Sequence, residues 1–150
     1  MFDDEFYWDA ERVASHIKAD RALREAAHVG KGMADGTVYV GLSPDTGKPM
    51  YTAPADAPGT YTFNQASKYA ARSEEFGHTD WRVPTTDELN VLFNNRAAIG
   101  GFNETGVVPS GRYWSCWLYD RTVAMVQRFG DGVQSYGPGN DVSSLRCVRG

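Results

Sequence analysis

The residues of this chain best suited to gripping another molecule fall near its end. They are Trp117, Tyr119, Arg121, Met125, Gln127, Asp131, Gln134, Tyr136, Asn140 and Asp141. Trp, Tyr and Arg bring large contact area at a small entropy cost, so they serve as anchors of binding surfaces. Strand alternation points Trp117 and Tyr119 to one side, which Trp114 does not share. Trp114, Tyr113 and Phe129 are expected in the core. A second chemistry is cation binding. Calcium takes six to eight oxygens, and Asp120, Asp131, Asn140 and Asp141 supply candidates. Asp and Asn beside Gly, as in Gly130-Asp131-Gly132 and Gly139-Asn140-Asp141, are also ordinary turn formers. A third is thiol chemistry at Cys116 and Cys147. Two cysteines are too few for a disulfide scaffold, and they pair only if adjacent strands bring them together. His16, His28 and His78 are scattered over expected helices and a turn, so no nucleophile with a nearby base can be assembled. His78, beside Thr79-Asp80, is read as fixing the turn before Trp81. The expectation is binding without catalysis and without a resident cofactor.

The elements that must position these residues are legible from Gly77 onward. Gly77 to Pro84 is a turn-rich entry to an extended Trp81-Arg82-Val83, because a residue before Pro is pushed out of the helical region. Thr85 to Glu88 has the form of a capping box, and Leu89, Leu92 and Phe93 share one helix face over Thr86–Ala98. Gly100-Gly101 ends that helix. Short extended runs follow at 113–118, 123–129, 133–136 and 145–149, and they read as an antiparallel meander. Upstream, 37–42 and 48–52 form a hairpin around the turn Ser43–Gly47. A helix over Tyr61–Phe76 is capped by Thr62 with Gln65 three residues on. Cys147, between Arg146 and Val148, reads as a small buried side chain. An earlier helix over Asp9–Val29 has a thin apolar stripe of Val13, Ile17 and Leu23, which suits attachment or self-association. The fold class is α+β, divided as an acidic segment and helix over 1–30 and a domain over 31–150.

Length and charge narrow the function. A chain of 150 residues suits one domain with one core. Its net charge is −4, but Met1–Glu11 holds five acids and no base, leaving fifteen bases against fourteen acids elsewhere. That near-neutral remainder argues against a nucleic-acid partner, which needs clustered Lys and Arg. No apolar run approaches the roughly 20 residues that span a bilayer, so membrane insertion is not expected. The acidic start does not look like a signal peptide. Synthesis in the cytoplasm is expected, followed by a place in a phage particle or export by a non-classical route.

Four ordered blocks carry a family resemblance: GHTDWRVPTTDELNVLF (77–93), GRYWSC (111–116), AMVQRFGDG (124–132) and SSLRCVR (143–149). Together they resemble the bacterial C-type-lectin-like family of the Lcl C-terminal type, over about Tyr61–Arg149. The resemblance implies a C-type-lectin-like fold: two helices, small twisted antiparallel sheets, termini joined in one sheet, and a loop-rich ligand face. It implies adhesion or ligand binding, with a protein or glycan partner on a cell surface. Some relatives are variable receptor-binding proteins of diversity-generating retroelements. Cys116-Trp117-Leu118 stands where Ser-Thr-Glu is common in the family, and Met125 where Trp is, on the expected ligand face. Two alternatives stay open. One is a calcium-dependent sugar lectin, although the EPN and WND triplets of animal lectins are missing. The other is a copper or thiol enzyme like the formylglycine-generating enzymes, which share the fold and use paired cysteines.

Overall fold

The structure is a computed structural model and describes residues 28–150. The helix expected over Asp9–Val29 lies, but for its last two residues, outside the described residues. Strands β1 (Val38–Leu42) and β2 (Pro49–Thr52) form the expected hairpin. Helix α1 (Phe63–Arg72) follows, then a single 3-10 turn at Glu75–Gly77, helix α2 (Thr86–Asn94) and the short α3 (Arg96–Ile99). Strands β3 (Arg112–Leu118), β4 (Val123–Arg128) and β5 (Gln134–Pro138) make a second sheet, and β6 (Val148–Arg149) closes the chain. Helices and two three-stranded antiparallel sheets make the domain α+β.

The starts of α1 and α2 obey local chemistry. Thr62 and Thr85 each accept from the amide three residues on, while Gln65 and Glu88 reach back to the cap amide. The helix expected over Tyr61–Phe76 is shorter. Ser73 turns extended, and Phe76 takes a left-handed φ of 57° in the 3-10 turn. That turn aims the Glu75 carbonyl at the Trp81 indole N–H, 2.9 Å away. The helix expected to run on to Ala98 breaks at Asn95, whose side-chain amide bonds back to the Val91 carbonyl at 2.9 Å.

The meander is corrected at its last member. The closing strand leaves β5 and pairs with β2 in order β1-β2-β6, joining the two ends of the domain in one small sheet. Only Val148 and Arg149 are strand, and Val148 also exchanges two backbone bonds with Arg82, at 2.9 and 3.0 Å. The reason is burial. Leu145, Cys147 and Val148 are all covered, and the solvent-facing edge of β5 offers no core to receive them.

Two hydrophobic clusters flank strand β3. One gathers Val40, Met50, Leu89, Leu92, Tyr113 and Phe129; the other gathers Ala66, Trp81, Trp114, Val126 and Leu145. Tyr113 and Trp114, neighbours in sequence, enter different clusters and are both fully buried. The pleat of a strand is what sends consecutive side chains to opposite sides.

Charged residues are buried among these clusters. Arg146 is fully covered: Nε donates to Asp56 at 2.9 Å, and Nη1 and Nη2 donate to the carbonyls of Ala53 and Gly100 at 3.0 and 3.1 Å. Its guanidinium lies 4.0 Å from the centre of the Phe102 ring. The Tyr113 hydroxyl donates to the other Asp56 oxygen at 2.5 Å. Burial still pushes the Asp56 carboxyl up, against the opposing pull of Arg146. The pair therefore does not recover its full desolvation cost, as expected of buried ions. Gly101 makes room for it, since a Cβ there would stand 2.8 Å from Arg146 Nη2. Glu88 is the second buried ion. It accepts from Arg82 Nη1, from Arg82 Nη2 at 2.8 Å, from Ser43 Oγ at 2.6 Å and from the Thr85 amide at 3.0 Å. Burial alone would raise its carboxyl, but these bonds outweigh that and hold it at about 2.

Two outcomes follow. Arg146→Ala leaves Asp56 buried without its partner and is expected to cost about 3–5 kcal/mol in urea unfolding; a loss under about 1 kcal/mol contradicts the network. Glu88 has a folded-state value below its ordinary 4.5, so its contribution is complete above that pH and is lost as pH falls toward about 2. Glu88→Gln is therefore less stable than wild type at pH 7, and its unfolding midpoint falls less steeply between those limits. An identical pH slope in both proteins rules this out.

Candidate functional site

Beyond Trp114 strand β3 carries two more residues than its partner. Trp114 pairs with Val126, yet Leu118 pairs with Ala124, so Ser115, Cys116 and Trp117 stand against Met125 alone. The buried Ser115 hydroxyl holds this bulge. It donates to the Met125 carbonyl at 2.8 Å and accepts from the Trp117 amide at 3.2 Å. On the outer side, the Cys116 amide donates to the Pro84 carbonyl at 2.8 Å. Bulges re-aim side chains in this manner, and here the core ends and an exposed surface begins.

That surface carries three rings in mutual contact. Trp117, Tyr119 and Tyr136 are 43%, 64% and 53% exposed. Their centroids lie 6.4 Å apart for Trp117–Tyr119, 5.9 Å for Trp117–Tyr136 and 4.9 Å for Tyr119–Tyr136, all tilted. Met125 is half-buried and lies directly opposite Tyr136 in the sheet, so its side chain shares that face. Leu118, a departure from the family pattern that was not counted among the contact residues, is 46% exposed between Trp117 and Tyr119 in the chain.

The other residues expected at the site separate from this cluster. Arg121, at the exposed tip of the β3–β4 hairpin, and Asn140, just after β5, line a groove of about 620 Å³ with Phe63, Leu118, Val123 and Pro138. Asp141 is exposed, and its amide donates to the Pro138 carbonyl at 3.0 Å. Gln127 is a correction. It is fully buried and donates to Asn90 Oδ1 at 3.0 Å and to the Gly132 carbonyl at 2.9 Å, tying the sheet to α2. Gln134 is exposed, but its amide donates to the Thr86 carbonyl at 2.9 Å. Asp131 lies at the opposite end of β4 from Arg121, where Arg128 grips it and the Val133 amide donates to it at 3.1 Å. Those bonds hold its carboxyl at about 2.

The oxygen donors considered for calcium are divided in the same way. Asp120 and Asp131 sit in the turns at the two ends of β4, and Asp120 accepts from the Thr122 amide and hydroxyl at 2.8 and 2.9 Å. No group of three or more His, Cys, Asp and Glu is placed to hold a metal among the described residues. Cys116 and Cys147 are both free thiols. Burial pushes the Cys116 thiol up, and it drives Cys147 up to about 12. An activated nucleophile needs the opposite shift. His78 packs against Asp35 at 2.7 Å, while Asp80 pairs with Arg149 at 2.9 Å, so the turn before Trp81 is held from both sides.

A larger cavity, about 760 Å³, lies away from the rings along α1, lined by Tyr61, Lys68, Tyr69, Arg72 and Glu75. The two tyrosine rings there are 5.3 Å apart, and Tyr69 donates to Glu75 at 3.1 Å. No helix among the described residues is long and apolar enough to cross a membrane.

Most residues of the blocks noted in the sequence build the scaffold. Asp80 pairs with Arg149 and Arg82 with Glu88, Trp81, Tyr113, Trp114 and Phe129 lie in the core, Ser115 holds the bulge, and Arg146 to Arg149 lie in the closure. A search of curated proteins finds no match. The family profile described as the Lcl C-terminal domain matches residues 44–149, nearly all of the described domain. The chain belongs to the Lcl C-terminal domain family.

Proposed function

We propose that this protein is a recognition module that binds a protein or glycan on a cell surface through the Trp117–Tyr119–Tyr136 face, without making or breaking a bond. The observation that carries the reading is the three exposed rings in mutual contact across the β3–β4–β5 sheet. Soluble domains bury such rings unless they contact something else, and aromatic residues dominate binding energy where they sit together. Their backbone is held by the Ser115 clasp and by five residue pairs between β4 and β5. Binding through preformed elements requires little rearrangement.

A C-type-lectin-like fold and a place among variable receptor-binding proteins of phages or diversity-generating retroelements are the finer form of this reading. The support is positional. Of the four departures from the family pattern, Trp117 and Met125 fall on the ring face, Leu118 lies between two of the rings in the chain and Cys116 is exposed in the bulge just before them. The matching Tyr113, Trp114, Ser115 and Phe129 are buried. Variation confined to the surface leaves the scaffold intact. The segment 1–30, read from the sequence as an acidic start and an expected helix, would attach the module to a particle or join copies of it. Enzymatic thiol chemistry is disfavoured by the raised thiols, and a calcium lectin by the use of Asp120 and Asp131 in turns.

Two measurements test the reading. Screened against glycan and host-surface protein arrays, the wild-type chain captures a ligand that Trp117→Ala/Tyr119→Ala loses by at least tenfold, with Tm within about 2 °C of wild type; capture untouched by the double variant moves the site elsewhere. With iodoacetamide at pH 7, Cys116 alkylates more slowly than free cysteine and Cys147 only after unfolding. Alkylation of Cys116 faster than free cysteine would instead support an activated thiol.

A further inference from the structure

A groove at the end of the β3–β4 hairpin differs in chemistry from the rings, and the inference drawn from it rests on the recognition reading above. Phe63, Leu118, Val123 and Pro138 make its floor apolar. Phe63 is fixed there by an edge-on contact with buried Trp114, with ring centroids 5.8 Å apart. Arg121 is the one charged residue lining it. Five of the eight arginines among the described residues are ion-paired within the domain: Arg82, Arg96, Arg128, Arg146 and Arg149. Arg121 has no such pair. Asp120 next to it is engaged by Thr122, and Asp141 does not line the groove. The side-chain amides of Asn64 and Asn140, on either side, also make no hydrogen bond within the described residues and leave donors toward the same space. Leu118 belongs to the groove and lies between Trp117 and Tyr119 in the chain, so the two surfaces meet at the hairpin end.

We propose that this groove receives an acidic side chain of a partner polypeptide, flanked by an apolar residue, while the ring face receives the rest of the same segment. A guanidinium with its donors uncommitted matches a carboxylate in geometry and charge. The apolar floor then covers the neighbouring aliphatic group. The groove's volume of about 620 Å³ falls within the range of ligand-binding cavities and exceeds what a single carboxylate fills. Aromatic residues, Met and Arg side by side are the composition of protein–protein contact surfaces, which is why the commitment is to a polypeptide.

The test uses the full chain, labelled with nitrogen-15, titrated with the blocked peptides Ac-Leu-Glu-Leu-NH2 and Ac-Leu-Gln-Leu-NH2 and with D-glucuronate. The Glu peptide is expected to shift the amides of Asn64, Thr122, Gly139 and Asn140. Binding should be at least fivefold weaker for the Gln peptide, for D-glucuronate, and for Arg121→Gln with the Glu peptide. Arg121 is exposed, so that variant should fold and melt as wild type. No groove shifts, or equal affinity for the Glu and Gln peptides, overturns the assignment. Equal or tighter binding of D-glucuronate overturns the choice of a polypeptide. If array capture still depends on Trp117 and Tyr119 while the groove fails, only the groove assignment falls. If Trp117→Ala/Tyr119→Ala loses nothing on the arrays while the groove shifts persist, the ring-face reading falls instead.

Discussion

Tyr113 and Trp114 are adjacent in the chain and fully buried on opposite sides of one strand, and the rest of the domain follows from that constraint. A strand with apolar residues on both faces needs a cover on each. The α2 helix and the first hairpin cover one side, and α1 with Trp81 covers the other. Both rings also donate at fixed points, the Tyr113 hydroxyl to Asp56 and the Trp114 indole to the Tyr61 carbonyl at 2.6 Å. Three residues further on, the same strand has left both cores. The Ser115 bulge marks the boundary, and the next large ring, Trp117, stands in solvent. Core and candidate recognition surface are thus successive parts of one strand.

Buried ions close the domain around this strand. Arg146 reaches from the last segment to Asp56 and to the carbonyls of Ala53 and Gly100, while Arg82 and Glu88 lock the entry of α2 to Ser43. Such pairs are poor sources of net stability, because desolvation offsets most of their attraction. Their value lies in geometry: each guanidinium has one arrangement of acceptors that satisfies it, so segments distant in sequence meet in one register. A domain whose presented face consists of loop and hairpin ends needs that rigidity beneath it.

What was legible in the sequence was local. The capping boxes at Thr62 and Thr85 are three-residue signals, the first hairpin is punctuated by its turn, and Tyr113, Trp114 and Phe129 announce a core by size. The family blocks could be recognised because each serves one of these contacts. The illegible parts depend on distant partners. Val148 and Arg149 are too short a run to show which sheet they join, and the joining of the two ends followed only from the family resemblance. Gln127 looks like any strand polar residue until Asn90 and the Gly132 carbonyl are placed beside it. Arg146 meets Asp56 across 90 positions with no local mark. The candidate site was read as one set by proximity in sequence, but β4 holds its members apart: the rings and Arg121 lie toward one end, and Asp131 lies at the other.

Recognition through the ring face is tested most directly by a hydrogen–deuterium exchange footprint of the full chain, alone and with the tightest ligand from the array screen. New protection is expected in the β3–β4 hairpin end around Trp117–Val123 and in β5 around Tyr136, with the backbone beneath unchanged. Protection centred instead on the later turns of α1 around Lys68–Arg72 and on the Glu75 turn, beside the Tyr61–Tyr69 cavity, would contradict it and move recognition to that cavity.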